Sequence, residues 1–121
     1  MIIGEYDLRG ILGKELTFEL IEKVVLTFVK FLEKKGEKNR KILLAIDNNP
    51  NNLKVKNFLL KKFNFQFMGQ LPTPIFYYQV IKFKTPGIMI TASHLPRKYS
   101  GLKFLLKDGT AWKINNLKKI I

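Results

Sequence analysis

The chain has 121 residues, 46% of them hydrophobic and ten of them Phe, which indicates one globular domain rather than a disordered segment. It contains no cysteine, which excludes disulfides, thiolate metal sites and a cysteine nucleophile. The formal net charge is +13, but only three of the 22 basic residues are Arg. We therefore rank a solvated lysine-coated surface first, an acidic partner second and nucleic-acid binding third.

The amino-terminal residues 1–5 contain no basic region followed by an apolar run, so no signal peptide is predicted. Elsewhere, Lys or Glu interrupts each apolar stretch well before it reaches a membrane-spanning length. We expect a cytoplasmic protein with no membrane span.

Apolar periodicity divides the chain into short strands and longer helices. In chain order we predict an edge strand or loop at 5–11, a helix at 17–35, a strand at 41–46, a helix at 53–63, a strand at 65–68, a helix from 72–74 to 83, and strands at 88–90 and 102–106. A final amphipathic helix is predicted at 112–121. Because helices separate the strands, the fold class is α/β, a three-layer α/β/α domain with a mostly parallel mixed sheet.

Helix-terminating residues support two of these helices. Thr17 is expected to cap the first, and Gly36 lies just beyond its last turn. In the third helix, Thr73 is expected to be the cap and Pro74 the first helical residue, where its missing N–H costs no hydrogen bond.

Polar side chains follow the apolar strands at 42–46 and 88–90 directly. Open α/β sheets bind ligands at the carboxyl ends of such strands. Asp47 is either a functional carboxylate or a turn cap. Ser93 and His94, the only histidine, are either a reactive pair or an ordinary polar turn, and the residue types alone favour the turn.

Four motifs shift that balance when they are taken together. Thr-Ala-Ser-His-x-Pro at 91–96 and Tyr-x-Gly-x-Lys at 99–103 closely resemble the phosphoserine loop of the phosphohexomutase superfamily, which includes phosphomannomutases and phosphoglucomutases. Residues 6–10, 42–47 and 71–74 resemble three further family motifs, in the family order. The resemblance implies that residues 1–121 form the first of the family's four domains.

The resemblance also implies roles for individual residues. Ser93 would carry a phosphate, pass it to a hexose phosphate and recover another from the bisphosphate intermediate. Arg9 and Lys103 would neutralise the transferring phosphate, His94 would hydrogen-bond a sugar oxygen or transfer a proton, and Tyr6 would line the substrate cleft. Mg²⁺ would contact Ser93 through its phosphate, with the remaining ligands supplied by residues outside this chain.

The sequence departs from the family at three positions. Leu95 replaces the usual Asn after the histidine, and Ile46 and Asn49 stand where the family has arginines. The family's metal-binding, sugar-reading and distal phosphate-binding domains are not represented in these residues. The isolated chain should therefore be inactive and need a longer chain or a partner subunit. The alternatives are a non-catalytic phosphosugar-binding or regulatory relative and, ranked last, a basic nucleic-acid-binding module.

Overall fold

Short strands alternate with helices in the computed structural model, which describes residues 2–3, 7–37, 41–91 and 98–114. In chain order the elements are β1 (Ile2–Ile3), β2 (Asp7–Ile11), α1 (Phe18–Lys34), β3 (Leu43–Ile46), α2 (Asn51–Lys62), β4 (Gln66–Gln70), α3 (Thr73–Phe83), β5 (Gly87–Ile90) and β6 (Tyr99–Leu105). Every helix and strand predicted between residues 7 and 106 is present, with its ends shifted by at most a few residues.

The strands of the described residues form one six-stranded mixed sheet in the order β1-β2-β6-β5-β3-β4. β3 pairs in parallel with β4 and β5, whereas the pairs β5–β6, β6–β2 and β2–β1 are antiparallel. The α/β class and the mixed sheet are confirmed, but the prediction of a mostly parallel sheet is wrong. Residues 91–98 join β5 to β6, and this link is shorter than the dozen or so residues that a parallel crossover needs.

Among the described residues, α1 and α2 lie on one face of this sheet and α3 lies on the other. Side chains alternate along a strand, so Ile88 and Ile90 pack in the cluster that contains α1 and α2, whereas Met89 packs against Phe76 and Val80 of α3. The central strands are therefore covered on both faces, which confirms the predicted three-layer α/β/α architecture.

The strand predicted at 5–11, which is β2, is not an edge strand of the sheet. Ile2 pairs with Arg9 and Ile3 with Leu8, so β1 covers the outer side of β2. The prediction of an edge strand or loop at 5–11 is therefore correct about the strand and wrong about its place in the sheet.

The helices begin in two different ways. Thr17 caps α1 as predicted, because its hydroxyl oxygen accepts a backbone N–H of the first turn at 3.1 Å. Gly36, just past α1, has the positive φ of 85° that glycine tolerates best. In α3 the predicted cap is wrong: Pro72 is the N-cap, and Thr73 and Pro74 are already helical. Pro72 fits the N-cap position because the extended backbone there has a φ of −61°, close to the value that the proline ring imposes.

The chain after β6 remains extended where a helix was predicted. Ala111 bridges Leu105 in antiparallel fashion, and the backbone N–H of Trp112 donates to the carbonyl of Phe104 at 2.9 Å. The Trp112 ring packs 5.0 Å from that of Phe28 and 5.5 Å from that of Phe104, measured between centroids. Burial of this indole against two aromatic rings outweighs the helical pattern over 112–114, and residues 115–121 lie outside the described part.

The edge strand β4 carries an irregularity. Phe67 pairs with Leu44 but Gly69 pairs with Ala45, so Met68 is an additional residue opposite the regular strand β3. Gly69 has a φ of 104°, a conformation in which glycine avoids the strain of a side chain. The result is a β-bulge in the strand that ends the sheet.

Gly101 occupies the tightest backbone position between β2, β6 and β5. A Cβ added to it would lie 2.8 Å from the carbonyl oxygen of Thr91, 3.0 Å from that of Leu8 and 2.9 Å from Cγ of Arg9. Two of these atoms are backbone carbonyl oxygens, and these two cannot rotate away from an added Cβ. Any side chain at 101 must push neighbouring strands apart.

We therefore predict that Gly101→Ala lowers the free energy of unfolding by about 1–3 kcal/mol, the usual cost of overpacking. Gly10→Ala is the matched control on the neighbouring strand, since its Cβ would come no closer than 3.3 Å to another atom. Urea unfolding of both variants measures the difference. Equal losses would show that the close approach at Gly101 is not a constraint on the fold.

Candidate active site

The candidate site lies at the edge of the sheet that is formed by strand ends, where β3 and β5 end and β6 begins. Residues 92–97 connect β5 to β6 at this edge and include Ser93 and His94. Tyr6 directly precedes β2. These three predicted site residues lie outside the described part of the chain, whereas Arg9 and Lys103 lie within it.

Asp47 is the centre of a buried polar network at this edge. Its Oδ2 accepts the hydroxyl of Thr91 at 2.7 Å, and its Oδ1 accepts the backbone N–H of Asn49 at 3.0 Å and the side-chain amide of Asn52. The bond from the residue two positions on is the pattern of an Asx turn. Of the two readings that the sequence left open for Asp47, this geometry supports the structural one.

The network continues through Asn52 to the start of β6. The Asn52 amide also donates to the carbonyl of Ile90 at 3.2 Å, and its side-chain oxygen accepts the hydroxyl of Ser100 at 2.9 Å. Asn49 adds a longer bond, 3.4 Å, from its amide to the carbonyl of Tyr99. Neither Asn52 nor Ser100 was singled out from the sequence, because a single Asn early in a helix carries no signal that it will be buried.

Arg9 and Lys103 lie on one face of the sheet. Directly opposed residues in a ladder share a face, and Lys103 is opposite Asp7 while Arg9 is opposite Gly101. The Gly101 carbonyl in turn accepts the N–H of Thr91 at 2.9 Å. Arg9 is therefore two strands from the start of residues 92–97, about 10 Å at the usual strand spacing.

Asp7 modifies the charge of this face. Its Oδ2 lies 3.1 Å from Nε of Arg9, which makes an ion pair. The N–H of Nε does not point at this oxygen, so the buried Nε makes no hydrogen bond. The Arg9 side chain as a whole remains 38% exposed. Guanidinium has further N–H donors beyond Nε, and these suit an anion such as a phosphate.

Tyr77 belongs to the same face, although the sequence indicated only packing for the aromatic residues of α3. Its ring is partly buried and packs against the apolar cluster that contains Met89 of β5 and Phe76 and Val80 of α3. Burial raises the pKa of the Tyr77 hydroxyl, and the negative charge of Asp7 raises it further. The fold thus favours the neutral form of the phenol.

A cleft of about 470 Å³ opens next to the network, between the ends of β3 and β4 and the start of α3. It is lined by Asp47, Asn48 and residues 70–74. The chain leaves β3 towards α2 on one face and leaves β4 towards α3 on the other. Open α/β sheets have their ligand crevice where neighbouring strands diverge in this way.

Among residues 2–3, 7–37, 41–91 and 98–114, no group of three or more His, Cys, Asp or Glu side chains could hold a metal ion. Within the same residues, no helix combines the length and apolar character needed to cross a membrane.

Comparisons with known proteins find similarity to one protein family. The family model described as "Phosphoglucomutase/phosphomannomutase, alpha/beta/alpha domain I" matches residues 1–121. The "Probable phosphoglucosamine mutase" of Methanosphaera stadtmanae is 31% identical over 118 residues, covering 93% of this chain and 25% of the relative. The "Phosphomannomutase" of Salmonella muenchen is 30% identical over 115 residues, covering 91% and 24%.

A solved structure agrees at the level of the fold. A phosphoglucomutase/phosphomannomutase family protein from Burkholderia thailandensis superimposes with a TM-score of 0.69 at 22% sequence identity, covering 94% of this chain and 27% of that one. The chain thus spans about a quarter of the length of the curated relatives it matches.

The raised pKa of Tyr77 predicts a pH effect on stability. The neutral phenol is favoured in the fold, so this contribution is complete below the ordinary pKa of 10.0 and is lost as the pH rises above it. We expect Tyr77→Phe to lose less stability than the unmodified protein as the pH rises above 10.0. Urea unfolding over a pH series measures this.

The control is Tyr78→Phe, a neighbouring tyrosine that is mostly exposed. Parallel pH profiles for Tyr77→Phe and the unmodified protein would contradict a Tyr77 pKa raised by burial and by the charge of Asp7.

Proposed function

Because the chain belongs to the phosphoglucomutase/phosphomannomutase family, as its alpha/beta/alpha domain I, we propose that it is the phosphoserine domain of an enzyme that transfers phosphoryl groups within hexose phosphates. In this proposal Ser93 carries the phosphate. Its Oγ–P bond breaks as a sugar hydroxyl oxygen bonds the phosphorus, and the proton of that hydroxyl ends on the departing Oγ, which gives a hexose bisphosphate and a free Ser93 hydroxyl. The other phosphate of that intermediate then returns to Ser93.

The observation that carries the proposal is that Arg9 on β2 and Lys103 on β6 share one face of the sheet. β6 is one of the two strands that flank residues 92–97. A phosphate on Ser93 adds about −1.5 to −2 charges. Phosphoryl transfer depends mainly on positioning and on neutralising that charge. A partly exposed arginine and a lysine on this face are suited to both tasks.

His94 and Tyr6 complete the site in this proposal. His94 hydrogen-bonds the attacking sugar oxygen and takes its proton as the O–P bond forms, because imidazole changes protonation near neutral pH. Tyr6, one residue before the strand that carries Arg9, contributes to the substrate cleft of the complete enzyme in this proposal.

Mg²⁺ does not fit the described residues alone. The described residues provide no cluster of three ligating side chains, and the carboxylate of Asp47 is already hydrogen-bonded within the network. The steps proposed here therefore use only this chain's own side chains. The family's Mg²⁺ would require ligands from the remainder of the enzyme.

The remainder of the enzyme comes from a longer chain or a partner subunit in this proposal, since the chain spans a quarter of its relatives' length. A surface suited to it is the outer side of α3. Ile75, Tyr78 and Ile81 recur there at every third residue and are 48%, 62% and 52% exposed. We propose that the rest of the mutase covers this α3 outer face, whose amino-terminal end borders the cleft.

The two positions without the family's arginines favour a second candidate function. Ile46 is buried in the core, and the Asn49 side chain is occupied within the polar network, so neither offers a charge to a ligand. A non-catalytic relative that binds phosphosugars would need fewer cations than a phosphoryl-transfer enzyme. For either function we propose a cytoplasmic location, where charged hexose phosphates are retained.

Replacement of the proposed nucleophile separates these functions. When the chain is combined with the rest of its enzyme, Ser93→Ala should lower phosphohexomutase kcat by at least about a thousandfold, as loss of a nucleophile does elsewhere. A coupled assay on glucose 1-phosphate or mannose 1-phosphate measures it. Thr27→Ala, which removes a hydroxyl on α1 away from the sheet edge, is the control and should leave kcat unchanged.

Phosphosugar binding that survives Ser93→Ala, in a preparation in which the unmodified chain never turns over substrate, would establish the non-catalytic relative instead.

The α3 outer face gives a further prediction. Ile75→Lys combined with Tyr78→Lys should reduce co-purification of phosphohexomutase activity with the tagged chain by at least about tenfold, because two exposed apolar contacts are lost. Leu26→Lys on α1 is the control, since that apolar side chain is also partly exposed but lies in the opposite layer. Equal recovery of activity with both variants would exclude the α3 outer face as the docking surface.

A further inference from the structure

Both strand ends that flank residues 92–97 contact the same buried side chains. On the β5 side, the Thr91 hydroxyl donates to Asp47 at 2.7 Å, and the Ile90 carbonyl accepts the Asn52 amide at 3.2 Å. On the β6 side, the Ser100 hydroxyl donates to the Asn52 side-chain oxygen at 2.9 Å. Asn52 therefore joins the two strand ends through one amide group.

The chemistry of this position is specific. Asn52 uses donors towards Asp47 and Ile90 and its acceptor towards Ser100, so it needs both functions at once. An aspartate would lack the donors and would place a second negative charge beside Asp47. A leucine would leave three buried polar groups without this partner. Only an asparagine-like side chain joins the carboxylate, the carbonyl and the hydroxyl.

Burial raises the free-energy cost of breaking these hydrogen bonds. Asn52 and Ser100 are both 0% exposed, so water cannot replace a bond that is broken. The backbone ladder between β5 and β6 extends to the bond between Thr91 N–H and the Gly101 carbonyl, at 2.9 Å. Beyond it, the side-chain network adds connections between the strand ends.

We propose that Asp47, Asn52 and Ser100 are positioning residues that fix the ends of β5 and β6 relative to each other, and thereby the two points from which residues 92–97 leave the sheet. The structural part of this proposal stands on the network alone. Its catalytic consequence, the positioning of the segment that carries Ser93, rests on the function proposed above.

The test is native-state hydrogen exchange on the chain itself, with Asn52→Ala as the variant. Val55→Ala is the control, because Val55 is also fully buried on α2 but takes no part in the network. The amides of Thr91 and Asp47 report on the strand ends, since both bond to backbone carbonyls there. Exchange rates are compared after correction for each variant's global stability.

We expect Asn52→Ala to accelerate exchange of these two amides about tenfold beyond the change in global stability, as the loss of buried hydrogen bonds implies. Val55→Ala should produce no such excess. Ser100→Ala removes a single hydroxyl and provides the milder variant if Asn52→Ala does not fold, with an excess of about threefold. Exchange that follows global stability alone in the folded network variants would overturn the proposal.

The catalytic consequence has a separate readout. In the complete enzyme, Asn52→Ala should lower kcat about tenfold and leave KM within about twofold, whereas Val55→Ala should leave both unchanged. If the unmodified enzyme transfers no phosphate, the proposed function fails and the exchange experiment still decides the structural part. If kcat is unaffected while exchange is accelerated, the network holds the strands but does not position the nucleophile, and the catalytic part is overturned.

Discussion

A carboxylate that is largely removed from water at the end of β3 sets the arrangement of the whole sheet edge. Burying such a group is costly unless hydrogen bonds replace its hydration. The partners of Asp47 come from the turn after β3, from α2 and from the end of β5, and Asn52 extends the network to β6. These elements must therefore come together at one point, and that point is where residues 92–97 leave the sheet.

The close approach of strands next to this network has a similar effect. Gly101 leaves no space for a side chain between the carbonyls of Thr91 and Leu8, so β2, β6 and β5 keep a narrow spacing there. Cγ of Arg9 lies beside the space that such a side chain would fill, so the glycine also leaves room for the stem of this arginine.

Periodicity and local chemistry predicted most of the fold. The apolar face of α1, its Thr17 cap and the apolar runs of β3 and β5 are signals within a few residues of each other, and the structure confirms them. Strand direction and order depend on contacts distant in sequence, so the antiparallel half of the sheet and the interior place of β2 were missed. Trp112 was misassigned because its aromatic partners, Phe28 and Phe104, are not neighbours in the chain.

The same limit applies to the site. Motifs located the strand end that precedes Ser93 and predicted Arg9 and Lys103, which the ladder does place on one face. Asn52, Ser100 and Tyr77 could not be found in this way, since their importance comes from partners 38 to 70 residues away.

The bulge in β4 has a consequence for association between molecules. β4 ends the sheet of the described residues and, from Gln66 to Gln70, carries no charged side chain that would repel another strand. A regular, uncharged edge of this kind readily recruits a foreign strand. The additional residue Met68 and the left-handed backbone of Gly69 interrupt the even row of N–H and C=O groups that such recruitment needs. A local irregularity in a five-residue strand therefore helps to keep a domain with an open sheet edge from growing into larger aggregates.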